Sequence, residues 1–290
     1  MANYQKRLCE LLNYIDAHLD QALTTEQLSQ LTYLSRFHFH RQFAAVFGVN
    51  VGSYIKTLRF KQAAYLLAYR QQVSITEIGL QLAYETSEAF SRAFKQFGQQ
   101  TPSEFRLNPN WDLLKQQEDW LNHIRRISMQ NQAVEFQVDV VKFPKISLAV
   151  LEHKGSPALL GNTIRRFIEW RKENATPPSV SRTFNLLYND QDSTPEEYQY
   201  GVAVEYDKPI GDNPSGVLAK QIPAGLCAVI RHQGSDVGLT DAVNYLYRHW
   251  LAASEYELRD FPLFFERVSF YPDIPESEHI TDIYLPLEAK

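Results

Sequence analysis

The sequence of 290 residues predicts two domains of different class. The first is all-α with tandem helix-turn-helix units, and the second is α+β with duplicated strand-strand-helix units that form a ligand groove. Three observations lead to this fold class. The chain exceeds the ~100–200 residues of a typical domain. Apolar residues recur every three or four positions as far as residue 107, and alternate with polar ones after residue 133. Each region also contains an internal repeat.

The first 107 residues indicate helices because glycine and proline are scarce there and helix-start residues precede the apolar patterns. Thr24 stands three residues before Gln27, which is the spacing of a capping box. Ser35 precedes a second helical pattern, and Gly48 follows it as a stop signal. A longer helix is predicted over residues 53–69.

A second cycle of the same pattern begins at Ser74, offset by 50 or 51 residues from the first. Each copy predicts a short helix, a turn and a second helix, which is helix-turn-helix geometry. The helix between the copies would place the two units in successive major grooves, roughly 34 Å apart. The repeated residues of the second helix are Phe39, Arg41 and Phe43 in one copy and Phe90, Arg92 and Phe94 in the other.

The region after residue 107 begins with a polar stretch, residues 108–132, in which we predict an amphipathic connecting helix. Beyond it, residues 144–156 match residues 223–235 at an offset of 79, and a helical pattern follows each copy. Two related units with a pseudo-twofold axis and a groove between them are therefore expected. We accordingly predict domains over residues 1–107 and 133–290, joined by a connector.

The net charge of −5 conceals a division between these domains. Residues 1–107 carry a net charge of +3 and the remainder carries −8. A positive first domain suits nucleic acid, and a negative second domain favours cationic ligands over anionic ones. The sequence lacks an apolar run of ~18–20 residues and a signal-peptide start, so we expect no membrane partner and a cytoplasmic location. Cys9 and Cys227 offer neither a disulfide framework nor a metal pair.

Two arginines occupy the same phase of the two repeated helices. Arg41 and Arg92 both lie opposite the core-facing phenylalanines. A single exposed arginine is best explained as a solvated charge, but two at equivalent positions predict contact with DNA, because arginine pairs well with guanine. His38 and His40 point ~200° apart on a helix and cannot share a metal ion. No metal or cofactor is expected.

Several motifs of the first region resemble a known family. They include Ile78-Gly79, Phe90-Ser91-Arg92-Ala93-Phe94-Lys95 and Thr101-Pro102-Ser103-Glu104-Phe105. Through them, residues 8–107 resemble the DNA-binding domain of AraC/XylS-type transcription regulators. Ala83 departs from the family pattern, where a glycine is usual, so a more strained turn is expected. The residues that the resemblance and the polar helix faces implicate in DNA binding are Arg36, Phe37, His40, Arg41, Ser87, Glu88, Ser91, Arg92 and Lys95.

The second region resembles the gyrase-inhibitor-like (GyrI-like) effector-binding domain over residues 134–287. The motifs that carry this resemblance include Pro144, His153, Gly155, Pro223, His232-Gln233-Gly234 and Phe264-Phe265-Glu266-Arg267. In that family a buried glutamate among aromatic residues receives hydrophobic cations, and Glu266 matches it. Aromatic rings stabilise cations through their faces. The ligand-binding residues predicted in this way are Glu266, Phe264, Trp170, Tyr247, Trp250 and Tyr284. In the competing interpretation, Glu266 is a strand-edge charge and the tryptophans belong to the core.

These features predict a transcription regulator, not an enzyme, that binds double-stranded promoter DNA and responds to a small hydrophobic, cationic ligand, with RNA polymerase as a further partner. One alternative is a DNA-binding module fused to a GyrI-like hydrolase of electrophilic small molecules, with Glu266 as general base. Another is a domain that sequesters a partner protein, with a groove filled by its own side chains. His153 and His232 recur at equivalent positions, which predicts a structural role at a strand end.

Overall fold

The computed structural model divides into two compact units. Unit 1 comprises Met1–Ala133 with Pro275–Ser277, and unit 2 comprises Val134–Ile274 with Glu278–Lys290. The structure describes residues 2–129, 136–189, 194 and 197–289. The predicted boundary between residues 132 and 133 lies outside these ranges. No helix within them is both long enough and apolar enough to cross a membrane.

Unit 1 is all-α, as predicted, with two helix-turn-helix units formed by α2–α3 and α5–α6. The helix between them, α4, has 19 residues and is therefore about 28 Å long. The helices of its described residues are α1 (Ala2–Ala17), α2 (Thr25–Leu31), α3 (Arg36–Phe47), α4 (Val51–Tyr69), α5 (Ile75–Gln81), α6 (Ser87–Gly98), α7 (Pro102–Leu107) and α8 (Trp111–Met129).

Polar caps begin these helices at the positions that the sequence indicates. The Thr24 hydroxyl accepts from the Gln27 amide, and the Gln27 side chain accepts from the Thr24 amide, which closes the predicted capping box. Ser35 caps α3, and Gly48, with φ of 72°, ends it in the left-handed conformation. Both α5 and α7 begin with the same kind of box.

Two apolar cores fill unit 1, and two long helices contribute to both. The first core packs α1, α2 and α3 against the first half of α4 and the second half of α8. The second core packs α5, α6 and α7 against the second half of α4 and the first half of α8. Since α4 and α8 each span both cores, they hold the two helix-turn-helix units at a fixed separation.

A cluster of buried charges also lies in unit 1. Lys61 of α4 and Arg125 of α8 both contact the Glu276 carboxylate, and Arg125 lies 3.1 Å from Asp16 of α1. Burial opposes the charged form of Lys61, but the combined attraction of Glu276 and Glu118 outweighs it, and the pKa of Lys61 is raised. Burial raises the pKa of Asp16. Charges this deeply buried require partners, and Pro275–Ser277 supplies one of them.

Unit 2 is an α+β structure built on an antiparallel sheet, as predicted. The strand order is β1-β6-β9-β8-β3-β4-β2-β5, with β7 also beside β9. The elements of its described residues are β1 (Asp139–Phe143), β2 (Ile146–Lys154), α9 (Leu160–Glu173), β3 (Thr183–Leu187), β4 (Gln199–Glu205), β5 (Leu218–Ile222), β6 (Gly225–Gln233), α10 (Leu239–Tyr245), β7 (Tyr256–Leu258), β8 (Phe264–Arg267) and β9 (Ile280–Ala289).

The strand order confirms the predicted duplication. Strands β1 to β4 of the first repeat correspond to β5, β6, β8 and β9 of the second. If each strand is replaced by its counterpart, the strand order is the same as the original order written backwards. The first strand of each repeat pairs with the other repeat, β1 with β6 and β5 with β2. The pseudo-twofold axis therefore passes between β3 and β8.

The sheet has two faces of different character. Helices α9 and α10 cover one of them, which we call the helix face, and pack there on two apolar clusters. The opposite side, the groove face, carries a third cluster that includes Phe143, Phe184 and Phe264. Because side chains alternate along a strand, Phe264 and Glu266 of β8 lie on the groove face, and Phe265 lies on the helix face.

The two repeated histidines form the same contact in each repeat. The Nε2 atom of His153 lies 3.0 Å from the carbonyl oxygen of Ser156, and that of His232 lies 2.9 Å from the carbonyl oxygen of Ser235. Each ring thus bridges the turn that follows its strand, β2 or β6. This geometry agrees with the predicted structural role at a strand end.

The turn of the second helix-turn-helix unit holds Ala83 in the left-handed region, with φ of 56°. A Cβ atom there costs about 1 kcal/mol relative to glycine. We expect Ala83→Gly to raise the free energy of unfolding by about that amount. The measurement is the urea midpoint of the helical signal in far-ultraviolet circular dichroism.

The control for this substitution is Ala45→Gly, at an exposed position of α3 with ordinary helical geometry. It is expected to lower the stability by about 1 kcal/mol, because glycine is a poor helix former. A loss of stability in both variants would contradict the strain assigned to Ala83.

Candidate DNA interface and ligand site

One side of α3 presents a continuous exposed surface. Arg36, Phe37, His40 and Arg41 are all exposed, and their spacing keeps them on one face of the helix. Phe37 is 85% exposed, whereas Phe39 is fully buried in the first core. The predicted DNA-binding residues of the first helix-turn-helix unit therefore lie together and away from the core.

The equivalent side of α6 has the same arrangement. Glu88, Arg92 and Lys95 are exposed, and Ser87 and Ser91 are half-buried between them. Thr86 caps the helix by accepting from a backbone amide of its first turn, which fixes where this face begins. The structure thus places all the predicted DNA-binding residues on two capped helices of unit 1.

Glu266 lies on the groove face of β8, and its carboxylate is bound by Arg182. The Arg182 Nε and Nη2 atoms donate to the two carboxylate oxygens, both at 2.7 Å, in a bidentate pair. The Tyr284 phenol donates to the same carboxylate at 3.4 Å. The Glu266 side chain is 14% exposed and that of Arg182 is 37% exposed. The candidate receptor for a cation therefore already holds one from its own chain.

Aromatic rings surround this ion pair. The Arg182 guanidinium carbon lies 5.0 Å from the ring centroid of Phe184 and 5.5 Å from that of Phe143. These distances lie within the range of cation–π attraction. Phe264 stacks on Tyr284 with centroids 5.0 Å apart. Burial raises the pKa of Tyr284, and the adjacent carboxylate raises it further, so the phenol keeps its proton and remains a donor.

Three predicted ligand residues do not join this group. Trp170 of α9 packs on the helix face, where it lines a cavity of about 170 Å³. Tyr247 and Trp250 lie on a π-helical segment, Leu246–Trp250, that continues α10. Trp250 packs on the helix face as well, and Tyr247 is 40% exposed. The sheet separates the two tryptophans from Glu266 because both helices cover the opposite face.

Three residues around Glu266 are not indicated by the sequence pattern, namely Arg182, Phe143 and Phe184. Arg182 and Glu266 are 84 positions apart. The duplication indicates that β3 and β8 are counterparts, but it does not give the register of their pairing. Only the register brings the residue before β3 to the carboxylate on β8.

A cleft of about 540 Å³ borders this aromatic group. Its volume lies within the ~300–1,000 Å³ of small-molecule sites. The Phe261 ring contacts the Phe264 ring, with centroids 6.1 Å apart, and thereby joins the cleft to the group. The residues that line the cleft are Tyr188, Leu258, Arg259, Asp260, Phe261 and Pro262.

The surface directly around Glu266 is filled by side chains of the chain itself. Phe143, Phe184, Phe264 and Tyr284 are all less than 10% exposed. This filling is what the partner-binding alternative predicts, whereas the adjacent cleft offers space of ligand size. His, Cys, Asp and Glu residues form no group of three suited to a metal ion in the described part of the chain.

Two family models match the chain. The GyrI-like small molecule binding domain matches residues 136–288, which is more than half of the chain, and a helix-turn-helix domain matches residues 28–108. The chain belongs to the GyrI-like family. Its helix-turn-helix part is of the AraC type, so the protein is a DNA-binding transcriptional regulator with a small-molecule-binding domain.

Three similar proteins each match one part of this regulator. The probable transcriptional regulator YgiV of Escherichia coli (strain K12) is 35% identical over 152 residues, which are 52% of this chain and 95% of YgiV. The HTH-type transcriptional regulator YbfP of Bacillus subtilis (strain 168) is 35% identical over 103 residues, and only 35% of its own length is covered. The crystal structure of the EcmrR C-terminal domain is 18% identical, with a TM-score of 0.45, and covers 54% of this chain and 100% of that domain.

Because Phe37 is exposed, we expect the stability of the fold not to depend on its side chain. Substituting an exposed residue changes stability by about 0.5 kcal/mol or less, whereas removing a buried phenylalanine costs about 3–5 kcal/mol. We therefore expect Phe37→Ala to unfold at the same urea concentration as the unmodified regulator. Phe39→Ala, two positions along α3, is the matched control and should unfold at a clearly lower concentration. A large loss in Phe37→Ala would show that the side chain packs against the fold.

Proposed function

We propose that this regulator binds promoter DNA through the exposed faces of α3 and α6 and responds to a small hydrophobic cation that binds at Glu266. The observation that carries the proposal for the ligand is a carboxylate, on a largely apolar face, that holds a guanidinium between aromatic rings. RNA polymerase is the proposed protein partner, since a promoter-bound regulator acts on transcription by recruiting or blocking it.

The proposal for DNA rests on chemistry that matches base edges. Arg41 and Arg92 suit the two acceptors of guanine, Glu88 can accept from the cytosine amino group, and Phe37 can contact a thymine methyl. A net charge of +3 on residues 1–107 is modest. Nonspecific attraction to phosphates is therefore weak, and specificity depends on a few base contacts.

Arg41→Ala and Arg92→Ala are each expected to weaken binding to the specific operator by about 1–3 kcal/mol, which is roughly 5- to 150-fold. The operator is first identified by sequencing DNA that the regulator retains, and affinity is then measured by fluorescence anisotropy. Lys6→Ala removes one exposed positive charge from α1 and controls for the general effect of charge. It should change the affinity by less than about twofold. Unchanged operator affinity in both arginine variants would refute the proposed interface.

The proposal for a cationic ligand rests on the cost of burying a charge. A carboxylate that is 14% exposed among aromatic rings is unfavourable unless a cation pairs with it. The net charge of −8 on residues 108–290 attracts cations to this part of the chain. We place the ligand against Glu266, Phe264 and Tyr284, with its apolar part directed toward the cleft at Phe261.

In this proposal the C-terminal unit senses its ligand and does not transform it. The bidentate pair with Arg182 supports this role, because it shows that the Glu266 carboxylate serves as the partner of a cation. A ligand changes transcription only if it binds one functional state of the regulator more tightly than the other. Hydrolysis of an activated ester by the regulator, lost in Glu266→Gln, would instead favour the enzymatic alternative.

Two probes of the same shape and opposite charge test the ligand class: tetraphenylphosphonium and tetraphenylborate. We expect the regulator to bind the phosphonium at least about tenfold more tightly than the borate, a difference of about 1.4 kcal/mol. Glu266→Gln should abolish most of this preference. Isothermal titration calorimetry measures both affinities.

The control for the loss of one carboxylate is Glu257→Gln, at an exposed position of β7. It should leave the preference within about twofold of the unmodified regulator. Equal affinity for the two probes in the unmodified regulator would contradict a cationic ligand. An effect of Glu257→Gln as large as that of Glu266→Gln would contradict the proposed position.

A further inference from the structure

We infer that Arg182 is a built-in occupant of the ligand site, and that its guanidinium must leave Glu266 before a cationic ligand can bind. This inference rests on the proposed function and adds a residue that sets the affinity and selectivity of the site. Arg182 thereby acts as an internal competitor of the ligand.

The contacts of Arg182 are those that a hydrophobic cation would make. Its guanidinium satisfies both oxygens of Glu266 at 2.7 Å and lies near two ring faces, those of Phe184 and Phe143. A planar cation in the same place would need the same carboxylate and the same rings. Since one carboxylate cannot pair fully with two cations in this geometry, the two occupants exclude each other.

The surroundings of Arg182 also allow it to leave. The residue directly precedes β3, and its side chain is 37% exposed, whereas that of Glu266 is 14% exposed. Within the described residues, its guanidinium donates hydrogen bonds to Glu266 and to no second acceptor. Rotation toward solvent therefore returns the guanidinium to water and leaves the carboxylate in place.

Arg267, which follows Glu266 on β8, is held in place more firmly than Arg182. Its guanidinium donates to Asn185 at 2.8 Å, to Asp236 at 2.7 Å and to Thr281 at 3.3 Å. Its side chain is only 18% exposed. Several partners and deeper burial fix this arginine in position. The contrast identifies Arg182 as the exchangeable cation of the pair.

A second carboxylate beside Glu266 already has its own cation. Asp282 of β9 is paired in register with Glu266, and its side chain is 8% exposed. Arg231 forms a bidentate pair with Asp282, both bonds being 2.7 Å. The Arg231 side chain is 65% exposed, and where it stays with Asp282 the departure of Arg182 leaves one uncompensated negative charge at Glu266.

The exchange multiplies the apparent affinity of every ligand by the fraction of time that the site is free. If Arg182 occupies Glu266 for about nine-tenths of the time, the apparent affinity falls about tenfold. A cation that also buries apolar surface can offset this loss, whereas a small hydrated cation cannot. Arg182 thus selects hydrophobic cations over the ions that are abundant in any cell.

The test compares tetraphenylphosphonium binding to the full chain and to three variants by isothermal titration calorimetry. Arg182→Gln should bind about tenfold more tightly than the unmodified regulator, because the competitor is gone. Arg182→Lys should lie between the two, since lysine keeps the charge but lacks the planar fork. Arg248→Gln, which removes an exposed positive charge elsewhere in unit 2, should stay within about twofold.

A double variant, Arg182→Gln with Glu266→Gln, decides whether the gain acts through the carboxylate. It should lose the gain, and retention of the gain would overturn the inference. The inference also fails if the unmodified regulator binds the phosphonium and Arg182→Gln binds it equally or more weakly, an outcome that leaves the proposed function intact. If neither the unmodified regulator nor any folded variant binds the phosphonium, the proposed function itself fails. Thermal unfolding of each variant establishes that it is folded.

Discussion

The pairing of β3 with β8 is the constraint on which the proposed ligand site depends. This pairing joins the two repeats across the pseudo-twofold axis, and its register places Phe184 opposite Glu266. Because side chains alternate along a strand, a slip of one residue would move Glu266 to the helix face, against α9 and α10. Arg182 would then have no carboxylate to bind. One short antiparallel contact therefore determines both the charge and the aromatic surroundings of the site.

The duplication of the fold is not matched by a duplication of the chemistry. In the β3–β8 register, Leu186 is paired with Phe264, and Phe184 is paired with Glu266. The twofold axis exchanges these two pairs. Leu186 is therefore the counterpart of Glu266. Leu186 is buried in the same groove-face cluster. One repeat thus provides an apolar wall and the other provides the carboxylate. In the proposed function, this asymmetry favours a ligand with one charged end and one apolar end and defines its orientation.

The parts of the structure that the sequence predicts well are those set by local spacing. The caps at Thr24 and Ser35 and the exposed faces of α3 and α6 depend on residues within one or two helical turns. The duplication predicts that equivalent segments form equivalent strands, but it does not predict the order in which those strands pair. The site residue Arg182 was not predictable, since its partner lies 84 positions away and the match depends on strand register. Trp170 was grouped with Glu266 because a sequence pattern does not tell which face of a sheet a helix covers.

Arg182 of unit 2 is paired with a carboxylate of its own chain, whereas the proposed partner of Arg41 and Arg92 in unit 1 is DNA. In the proposed function, Arg41 and Arg92 bind DNA from capped helices whose backbone is already formed, so binding requires little rearrangement of the backbone. Arg182 is already paired, so a ligand gains only the difference between its own contacts with Glu266 and those of the guanidinium. In the proposed function, the rearrangement that accompanies ligand binding therefore begins in unit 2, at an arginine that must exchange its carboxylate for water. The average charge of the chain conceals this difference, because the paired arginine and the exposed ones count equally in it.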